Sequence, residues 1–441
     1  MRSLKDMTLE SNRKIKVNFD GGDLSSDAGM LALNEFVRKM GIDRQINEVF
    51  QTNDTAKFRY HTDDDNLLQM IYQIISAYFA DDCADELIDD PVFTAILEKP
   101  ALASQPTLSR FHNRMDADTL VQLAAIMVEL RRRVYSCKPP EMVLFDLDST
   151  LLETYGKQEG EAFNFHYRAH GYHPLLCYDG LTGDLLRAQL RNGTDYSSKG
   201  VCEFMQPLFD EYLNSYPNTV LYLRGDSGFA TPGLYSQCET NGTSYVIRLK
   251  ENGTLRNLSA ELDSELTDIT MENIVDYAVV YGEFFYKAGS WEYERRVVCK
   301  IEKPEGQMVH MKTFIVTNMD LAPEQAIMFY CNRGRMENFI KEGKSGFDFA
   351  SVSSSSETVN ANRFQIHALA YNIFNWFRRL ALPQAMRKLM VDTIRIKLMK
   401  IAVRVVRSGR YLIFKLCSSC PYKDEFYRTL DNIRGLRPLL E

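Results

Sequence analysis

Two acidic side chains stand at the end of a strand-like segment whose first half is apolar. Asp146 and Asp148 close the run MVLFDLD and lie two residues apart, so in a strand they project from the same side. A buried carboxylate must be paired or must coordinate a cation, and carboxylate oxygens are ligands that Mg²⁺ and Mn²⁺ prefer. The pair indicates a metal site. The alternative is a strand end that emerges into solvent, with Asp148 capping the turn at Ser149.

A further acid, Asp226, ends the apolar run TVLYLRGD directly before Ser227 and Gly228. Ligands of α/β sheets gather at such strand ends, although a simple turn aspartate fits the same pattern. If the strands of Asp148 and Asp226 are neighbours, their carboxylates face one another. Two metal ions held roughly 3.5 to 4 Å apart can activate an attacking oxygen and stabilise a leaving one, which is the chemistry of phosphodiester cleavage.

A third candidate carboxylate, Glu337, lies in a segment predicted as one long helix over residues 323–344. Tyr330, Arg333, Glu337 and Lys344 have offsets of 0, 3, 7 and 14. At roughly 100° per residue these positions fall within about 60° of one helix face. An acid flanked by cations and a phenol suits a site that holds both metal and phosphate. The alternative is a solvated helix in which Glu337 pairs with Lys341.

The elements that must position these acids are predicted strands. Three consecutive strands are followed by alternating helices and strands, which predicts a mixed α/β sheet in an order that matches the ribonuclease H-like fold. The predicted strands are residues 142–148, 173–178, 185–190, 219–226, 244–250 and 312–318.

The sheet is the centre of a three-part organisation. Residues 1–135 are predicted to form a mainly helical DNA-binding domain, and residues 139–380 a catalytic domain. Residues 381–441 are predicted to be a basic, helical C-terminal region.

An insertion interrupts the catalytic domain at about residues 251–309. This segment is rich in Val, Tyr and Phe, with strand-like patterns near residues 277–285 and 292–301, so we interpret it as a β-rich insertion.

Composition and charge set the broad class. The chain has 441 residues, of which 45% are hydrophobic and 25% charged, which is typical of a globular protein. The net charge of −7 argues against broad nucleic-acid binding, but residues 378–415 carry eleven Lys or Arg and one acid, so a basic surface is still expected. The sequence contains no signal-like or membrane-length apolar run, and its nine cysteines follow no disulfide pattern. We expect a soluble, cytoplasmic protein without membrane association.

A helix predicted to begin near Pro106 carries a polar face that includes Arg110, His112 and Arg114. Such a face can read bases in the major groove. A solvated helix face explains the same residues, so both interpretations stand for Arg110.

These motifs together resemble the DDE transposases of bacterial insertion sequences, in particular the group with a Y-x2-R-x3-E-x6-K signature. Tyr330, Arg333, Glu337 and Lys344 match that spacing without a gap, and the segments LFDLDST and YLRGDSGF look like the two aspartate regions of the group-1 DDE transposase domain. The resemblance covers most of residues 15–380.

The resemblance implies a metal site and DNA contacts. It carries the ligand roles to Asp148, Asp226 and Glu337 for Mg²⁺ or Mn²⁺, with two ions expected, and leaves Asp146 as an uncertain neighbour. Tyr330, Arg333 and Lys344 are then candidates for phosphate contacts.

The implied activity is cleavage at the terminal inverted repeats of an element, followed by strand transfer into target DNA, by a dimer on two paired ends. Two alternatives remain. One is a ribonuclease H-like nuclease without strand transfer, and the other is a non-catalytic, transposase-derived DNA-binding protein.

Three further groups have weaker signals. Trp291 in the insertion could stack on a flipped base, as the resemblance suggests, or belong to a core. His166, His170 and His173, and the pair Cys417 and Cys420, imitate metal-ligand spacing, but neither set has the remaining ligands of a zinc site.

Overall fold

The computed structural model describes residues 6–273, 277–307 and 309–440 of the chain. Its strands are β1 Met7–Thr8, β2 Lys16–Val17, β3 Leu24–Ser25, β4 Met142–Ser149, β5 Leu152–Glu153, β6 Ala162–Asn164, β7 Ala169–Tyr172, β8 Leu175–Asp179, β9 Leu185–Gln189, β10 Val220–Gly225, β11 Ser244–Leu249, β12 Ala278–Tyr286, β13 Arg295–Lys303, β14 Met311–Thr317, β15 Val403–Ser408 and β16 Tyr411–Leu416.

The helices include several that are only one or two turns long. They are α1 Met30–Lys39, α2 Ile42–Val49, α3 Asp63–Ile75, α4 Cys83–Glu86, α5 Pro91–Ile96, α6 Gln105–His112, α7 Ala117–Cys137, α8 Val201–Ser215, α9 Pro232–Thr240, α10 Gly253–Leu258, α11 Ala260–Asn273, α12 Pro323–Cys331, α13 Gly334–Lys341, α14 Glu357–Leu380, α15 Val391–Ile394 and α16 Lys423–Gly435. A 3₁₀ turn covers Ser227–Phe229, and π-helical turns cover Glu342–Gly346 and Arg395–Met399. No helix in the described ranges has the length and apolar character needed to cross a membrane.

The chain forms two compact units. The first contains residues 1–138, 345–351 and 362–441, and the second contains residues 139–344 and 352–361. The predicted N-terminal and C-terminal segments thus contribute to the same compact unit.

A large mixed sheet forms the second unit, with the order β12-β13-β14-β11-β10-β4-β8-β9 among the described residues. β4, β10 and β11 run parallel at its centre, and antiparallel strands extend it on both sides. The apolar first half of β4 explains its central place, because Val143, Leu144 and Phe145 are all buried. The rings of Phe209 and Tyr212 of α8 pack edge-on against Phe145. The expectation of a mixed α/β sheet is confirmed.

The insertion predicted at about 251–309 differs from the structure at its beginning. Helices α10 and α11 come first, so a β-rich insertion is wrong for residues 253–273. Strands β12 and β13 confirm the two predicted strands, but they extend the main sheet through β14. β14 pairs with β11 along one edge and with β13 along the other. Local sequence patterns predict a strand but do not show which strand it pairs with.

The long helix predicted over residues 323–344 is interrupted. Helix α12 ends with Asn332 as its C-cap, α13 begins at Gly334, and a π-helical turn follows from Glu342. Asn and Gly are weak helix formers, which favours a break between Asn332 and Gly334. The prediction of one uninterrupted helix over residues 323–344 is therefore wrong.

The C-terminal region also departs from the all-helical prediction. β15 and β16 form an antiparallel hairpin whose turn contains Gly409 with a φ of 57°, and β15 also pairs with β3 of the same unit. The left-handed backbone at Gly409 costs little for glycine and reverses the chain. The β-branched and aromatic residues on either side then pair as strands instead of continuing a helix.

Candidate active site at the ends of two parallel strands

The register of β4 and β10 places two acids at one edge of the sheet. Asp146 lies opposite Arg224 and Leu147 opposite Gly225. Asp148 and Asp226 are the next residues of their chains, and because the two strands are parallel their carboxylates emerge at the same level. Asp226 Oδ1 accepts a hydrogen bond of 2.8 Å from Gly228 N and caps the 3₁₀ turn. The predicted meeting of Asp148 with Asp226 thus has its structural basis in two adjacent strand ends.

Asp146 is fully buried and is committed to an arginine. Arg224 Nε and Nη2 donate to its two carboxylate oxygens at 2.8 and 2.5 Å. The third nitrogen of the guanidinium, Nη1, donates to the Phe329 carbonyl at 2.8 Å. Both Asp146 oxygens are occupied by this fork, so the pair ties β4 to β10 and to the end of α12.

Asp148 has a looser partner. Arg333 Nη2 lies 2.8 Å from its Oδ2, while Oδ1 accepts from Ser149 N at 2.8 Å. The same guanidinium donates weakly to the Leu147 carbonyl at 3.4 Å. Arg333 therefore brings a positive charge to the place where the sequence predicts a metal ion.

The electrostatics of Asp148 reflect this crowding. The pKa of Asp148 is raised to about 6: burial raises it most, the Arg333 guanidinium and the hydrogen bond from Ser149 N lower it, and the Asp226 and Asp146 carboxylates raise it. Burial lowers the pKa of Arg333, but Asp148 and Asp226 raise it more strongly. Because a guanidinium keeps its charge throughout the accessible pH range, the group that titrates in this pair is Asp148.

Glu337 does not form a three-residue metal-binding group with the two aspartates in the described part of the chain. It is exposed in the first turn of α13, four residues after Arg333. Within residues 6–273, 277–307 and 309–440, no group of three His, Cys, Asp or Glu side chains has an arrangement suited to a metal ion. Asp148 and Asp226 supply a pair of hard oxygen donors, which fits part of a divalent metal site.

The other signature residues lie around the same strand ends. Burial raises the pKa of Tyr330, and its phenol lies close enough to Arg333 and Asp226 to be affected by both charges. Lys344 Nζ donates to the Leu151 carbonyl at 2.8 Å and approaches Thr150 Oγ1 at 3.4 Å. Lys344 thus holds the loop that follows Asp148.

Two residues of this site were missed by the sequence interpretation. Tyr167 donates to the Ser149 carbonyl at 3.3 Å, and burial together with the charges of Asp148 and Asp226 raises its pKa. Arg248, exposed on β11, reaches the phenol of Tyr330. Arg248 had a local signal, because it is a lone cation at an outward position of an apolar strand. Tyr167 had none, since it comes from the loop between β6 and β7.

Trp291 lies in a buried aromatic cluster, with 5% of its surface exposed. Tyr235 and Tyr286 pack against it edge to face, and the Arg295 guanidinium lies 5.5 Å from its ring. Of the two interpretations of Trp291, a core residue describes this position. Stacking on a base would require the ring to become accessible.

The candidate histidines and cysteines have other surroundings. His170 pairs with Glu161 at 2.9 Å, and His173 Nδ1 lies 2.6 Å from the Asp195 carbonyl. Cys417 and Cys420 are free thiols. None of them belongs to a metal-binding group in the part of the chain that the structure describes.

The polar face predicted on α6 divides into exposed and buried parts. Arg110 is exposed and contacts Thr107 Oγ1 at 3.3 Å. His112 is buried, and burial lowers its pKa to about 3. Arg114 pairs with Asp63 at 2.9 Å. The Arg110 side chain is therefore accessible to a ligand. His112 and Arg114 instead make contacts within the unit.

A family model described as "Transposase DDE domain group 1" matches residues 7–438. Comparison with curated proteins gave no match. A solved structure, "Cryo-EM structure of piggyBac transposase synaptic complex with hairpin DNA", aligns with a TM-score of 0.45 and 14% identity over 85% of this chain and 80% of that chain.

Proposed function

Because this chain belongs to the family of transposases with a group 1 DDE domain, we propose that it cleaves DNA at the ends of a mobile element and joins them to target DNA with the help of divalent metal. One observation carries the proposal. Asp148 and Asp226 lie at the ends of adjacent parallel strands, and the Asp226 carboxylate is close enough to raise the pKa of Asp148. Such a pair is a starting point for metal-assisted phosphodiester chemistry.

Asp148, Asp226 and Glu337 are proposed to hold Mg²⁺ or Mn²⁺, with two ions. Ions bound there would activate the attacking oxygen and stabilise the leaving one. Two of the three proposed ligands, Asp148 and Asp226, lie at the ends of adjacent strands. Glu337 belongs to a helix that begins directly after Arg333, so release of Arg333 from Asp148 would free this helix to bring Glu337 closer.

Arg333 is proposed to pair first with Asp148 and then, when DNA is bound, with a DNA phosphate. Without DNA it neutralises Asp148 across 2.8 Å. A DNA phosphate near the scissile bond offers the same guanidinium two parallel hydrogen bonds. We propose that Arg333 exchanges the carboxylate for the phosphate, which leaves Asp148 available to metal. Tyr330 and Lys344 are proposed to contact neighbouring phosphates.

The large mixed sheet is proposed to be ribonuclease H-like. Its central parallel strands and the antiparallel strands β8 and β9 after β4 support this assignment. The proposed DNA partners are the terminal inverted repeats and the target, bound by a dimer in the cytoplasm.

A strand-transfer assay tests the function against its nearest alternative. Wild-type protein with Mg²⁺ should nick end-containing duplexes and should join pre-cut 3′ ends to plasmid DNA. Glu337→Gln should abolish both reactions and spare DNA binding. Cleavage without joining would support a nuclease, and binding without either reaction would support a non-catalytic DNA-binding protein.

Arg110 is proposed to take part in end recognition. If it reads bases, Arg110→Ala should weaken binding to element ends by about 1–3 kcal/mol and leave random DNA nearly unaffected. Arg44→Ala, at an exposed site of α2, is a matched control that removes the same side chain and charge. Equal weakening on both DNAs would make Arg110 a phosphate contact, and no change would exclude it from the interface.

A further inference from the structure

The hairpin of β15 and β16 carries a set of exposed cations. Arg404, Arg407, Arg410 and Lys415 are all exposed, and Tyr411 beside the turn is 77% exposed. We call these five residues the hairpin surface.

The charge of this segment is one-sided. From residue 393 to residue 423 the sequence has eight Lys or Arg and no Asp or Glu, within a chain of net charge −7. Some of these cations have structural partners: Lys400 pairs with Asp27, and Arg395 with Asp392. In the described part of the chain, the four cations of the hairpin surface form no ion pair. Their charge is therefore not explained by the fold.

The register adds a second observation. Arg404 lies directly opposite Lys415, and Ser408 opposite Tyr411, so these side chains share one face of the hairpin. On the other face Val403 and Val405 are buried, and the exposed Arg407 lies on that side near the turn. Like charges directly across an antiparallel pair destabilise it. An anion between Arg404 and Lys415 would offset that repulsion. In the protein alone, this pair of like charges gives the hairpin no stability.

From these observations we infer that the hairpin surface is a docking site for double-stranded DNA, a role that rests on the proposed function and adds a contact surface to it. The repeating phosphates of a duplex match cations spread along two strands. A two-stranded ribbon fits the major groove, and Tyr411 beside the turn offers a hydroxyl for phosphate or base-edge contact. The edge strand β16 carries Lys415, and a charged side chain at a sheet edge opposes pairing with another strand.

The test is DNA binding with the metal removed, so that it is independent of cleavage. Binding of the full chain to a labelled 30-base-pair duplex is measured in EDTA across a salt series. The variant replaces Arg404, Arg407, Arg410 and Lys415 with Gln. If each contacts one phosphate, the slope of log affinity against log salt should fall by about 3 to 4, since each phosphate contact contributes roughly 0.9.

A matched control removes the same charge elsewhere. Arg13, Lys14, Lys16 and Lys57 are also exposed in the first unit. Their replacement with Gln should change the slope by less than about 1, because salt screens charges that do not touch the bound duplex. A smaller variant, Arg404→Gln with Lys415→Gln, should lower the slope by about 2. Both hairpin variants should keep the wild-type circular dichroism spectrum, and the smaller variant provides the test if the larger one does not fold.

The outcomes separate this inference from the proposed function. Unchanged salt slopes in both hairpin variants would overturn the inference, even if the wild-type protein cleaves DNA. A lowered slope would support it, even if no cleavage is found. Hairpin-dependent binding to vesicles containing phosphatidylserine, together with hairpin-independent binding to DNA, would also overturn it and would assign the surface to membranes.

Discussion

Two Asp–Arg pairs on the same strand end differ in how they are built. Asp146 and Arg224 keep only 0% and 2% of their side-chain surface exposed, and their contact is a two-pronged fork. Asp148 and Arg333 are each 15% exposed and share one nitrogen–oxygen contact. A fully buried fork fixes two strands, whereas a partly open contact can be replaced. The difference teaches that pairing with arginine alone does not distinguish a structural acid from a candidate ligand.

The largest expected effect follows from Asp148. Asp148→Asn keeps the shape of the side chain and removes a ligand charge, so cleavage of end DNA should fall by about a thousandfold or more, equivalent to at least roughly 4 kcal/mol of barrier. The measurement is single-turnover cleavage in Mg²⁺. Asp210→Asn, at an exposed position of α8, should cleave normally. If Asp148→Asn retains more than a tenth of the wild-type rate, Asp148 is not a metal ligand.

The inner pair should dominate stability. Arg224→Met leaves the Asp146 carboxylate buried without a partner and should lower the free energy of unfolding by about 3–5 kcal/mol. Arg333→Met should lower it by less than about 2 kcal/mol, because Asp148 reaches solvent and can take up a proton. Urea unfolding of both variants gives the comparison.

A double replacement sharpens this result. Asp146→Leu with Arg224→Met removes both charges and should recover most of the stability lost in the single variant. Equal losses for Arg224→Met and Arg333→Met would mean that the two pairs are energetically alike, which would contradict the distinction drawn from their burial.

The next largest expected effect is the loss of cleavage when Arg333 is replaced. Arg333→Lys keeps the charge but loses the planar fork, so cleavage and end positioning should fall by about 10- to 100-fold, or roughly 1.4 to 3 kcal/mol. Mn²⁺ affinity, measured by calorimetry, should stay equal or rise, because lysine competes less firmly for Asp148. Loss of metal affinity with normal positioning of DNA would reverse the proposed roles.

The smallest effect concerns pH. The folded protein raises the pKa of Asp148 from 3.8 to about 6, mainly through burial, so its contribution to stability is complete below about pH 4 and is lost as the pH rises through 6. Metal binding has the opposite dependence, because the ligand must be deprotonated. Mn²⁺ affinity should fall roughly tenfold per unit below pH 6, and this dependence should disappear in Asp148→Asn. A flat wild-type profile between pH 5 and 7 would show that Asp148 does not titrate there.

The sequence by itself determined the succession of the central strands along the chain and the position of Asp148 and Asp226 at strand ends. These two features follow from local patterns. An apolar run of β-branched and aromatic residues predicts a strand, and the acid at its end marks where the strand stops. The same local character made Arg110 recognisable as a surface cation of α6. Local patterns also misled, because eleven basic residues in a helix-like region concealed the hairpin around Gly409.

Only the tertiary structure decided which acid is structural. Asp146 and Asp148 have the same strand, the same face and the same chemistry, and they differ in partners that the chain supplies from far away. Arg224 comes from 78 residues beyond Asp146, and Arg333 lies 186 residues beyond Leu147. The break before Gly334 likewise interrupted the helix that was predicted to carry both Tyr330 and Glu337. Burial and pairing depend on contacts between distant segments, and spacing along one segment contains no information about them.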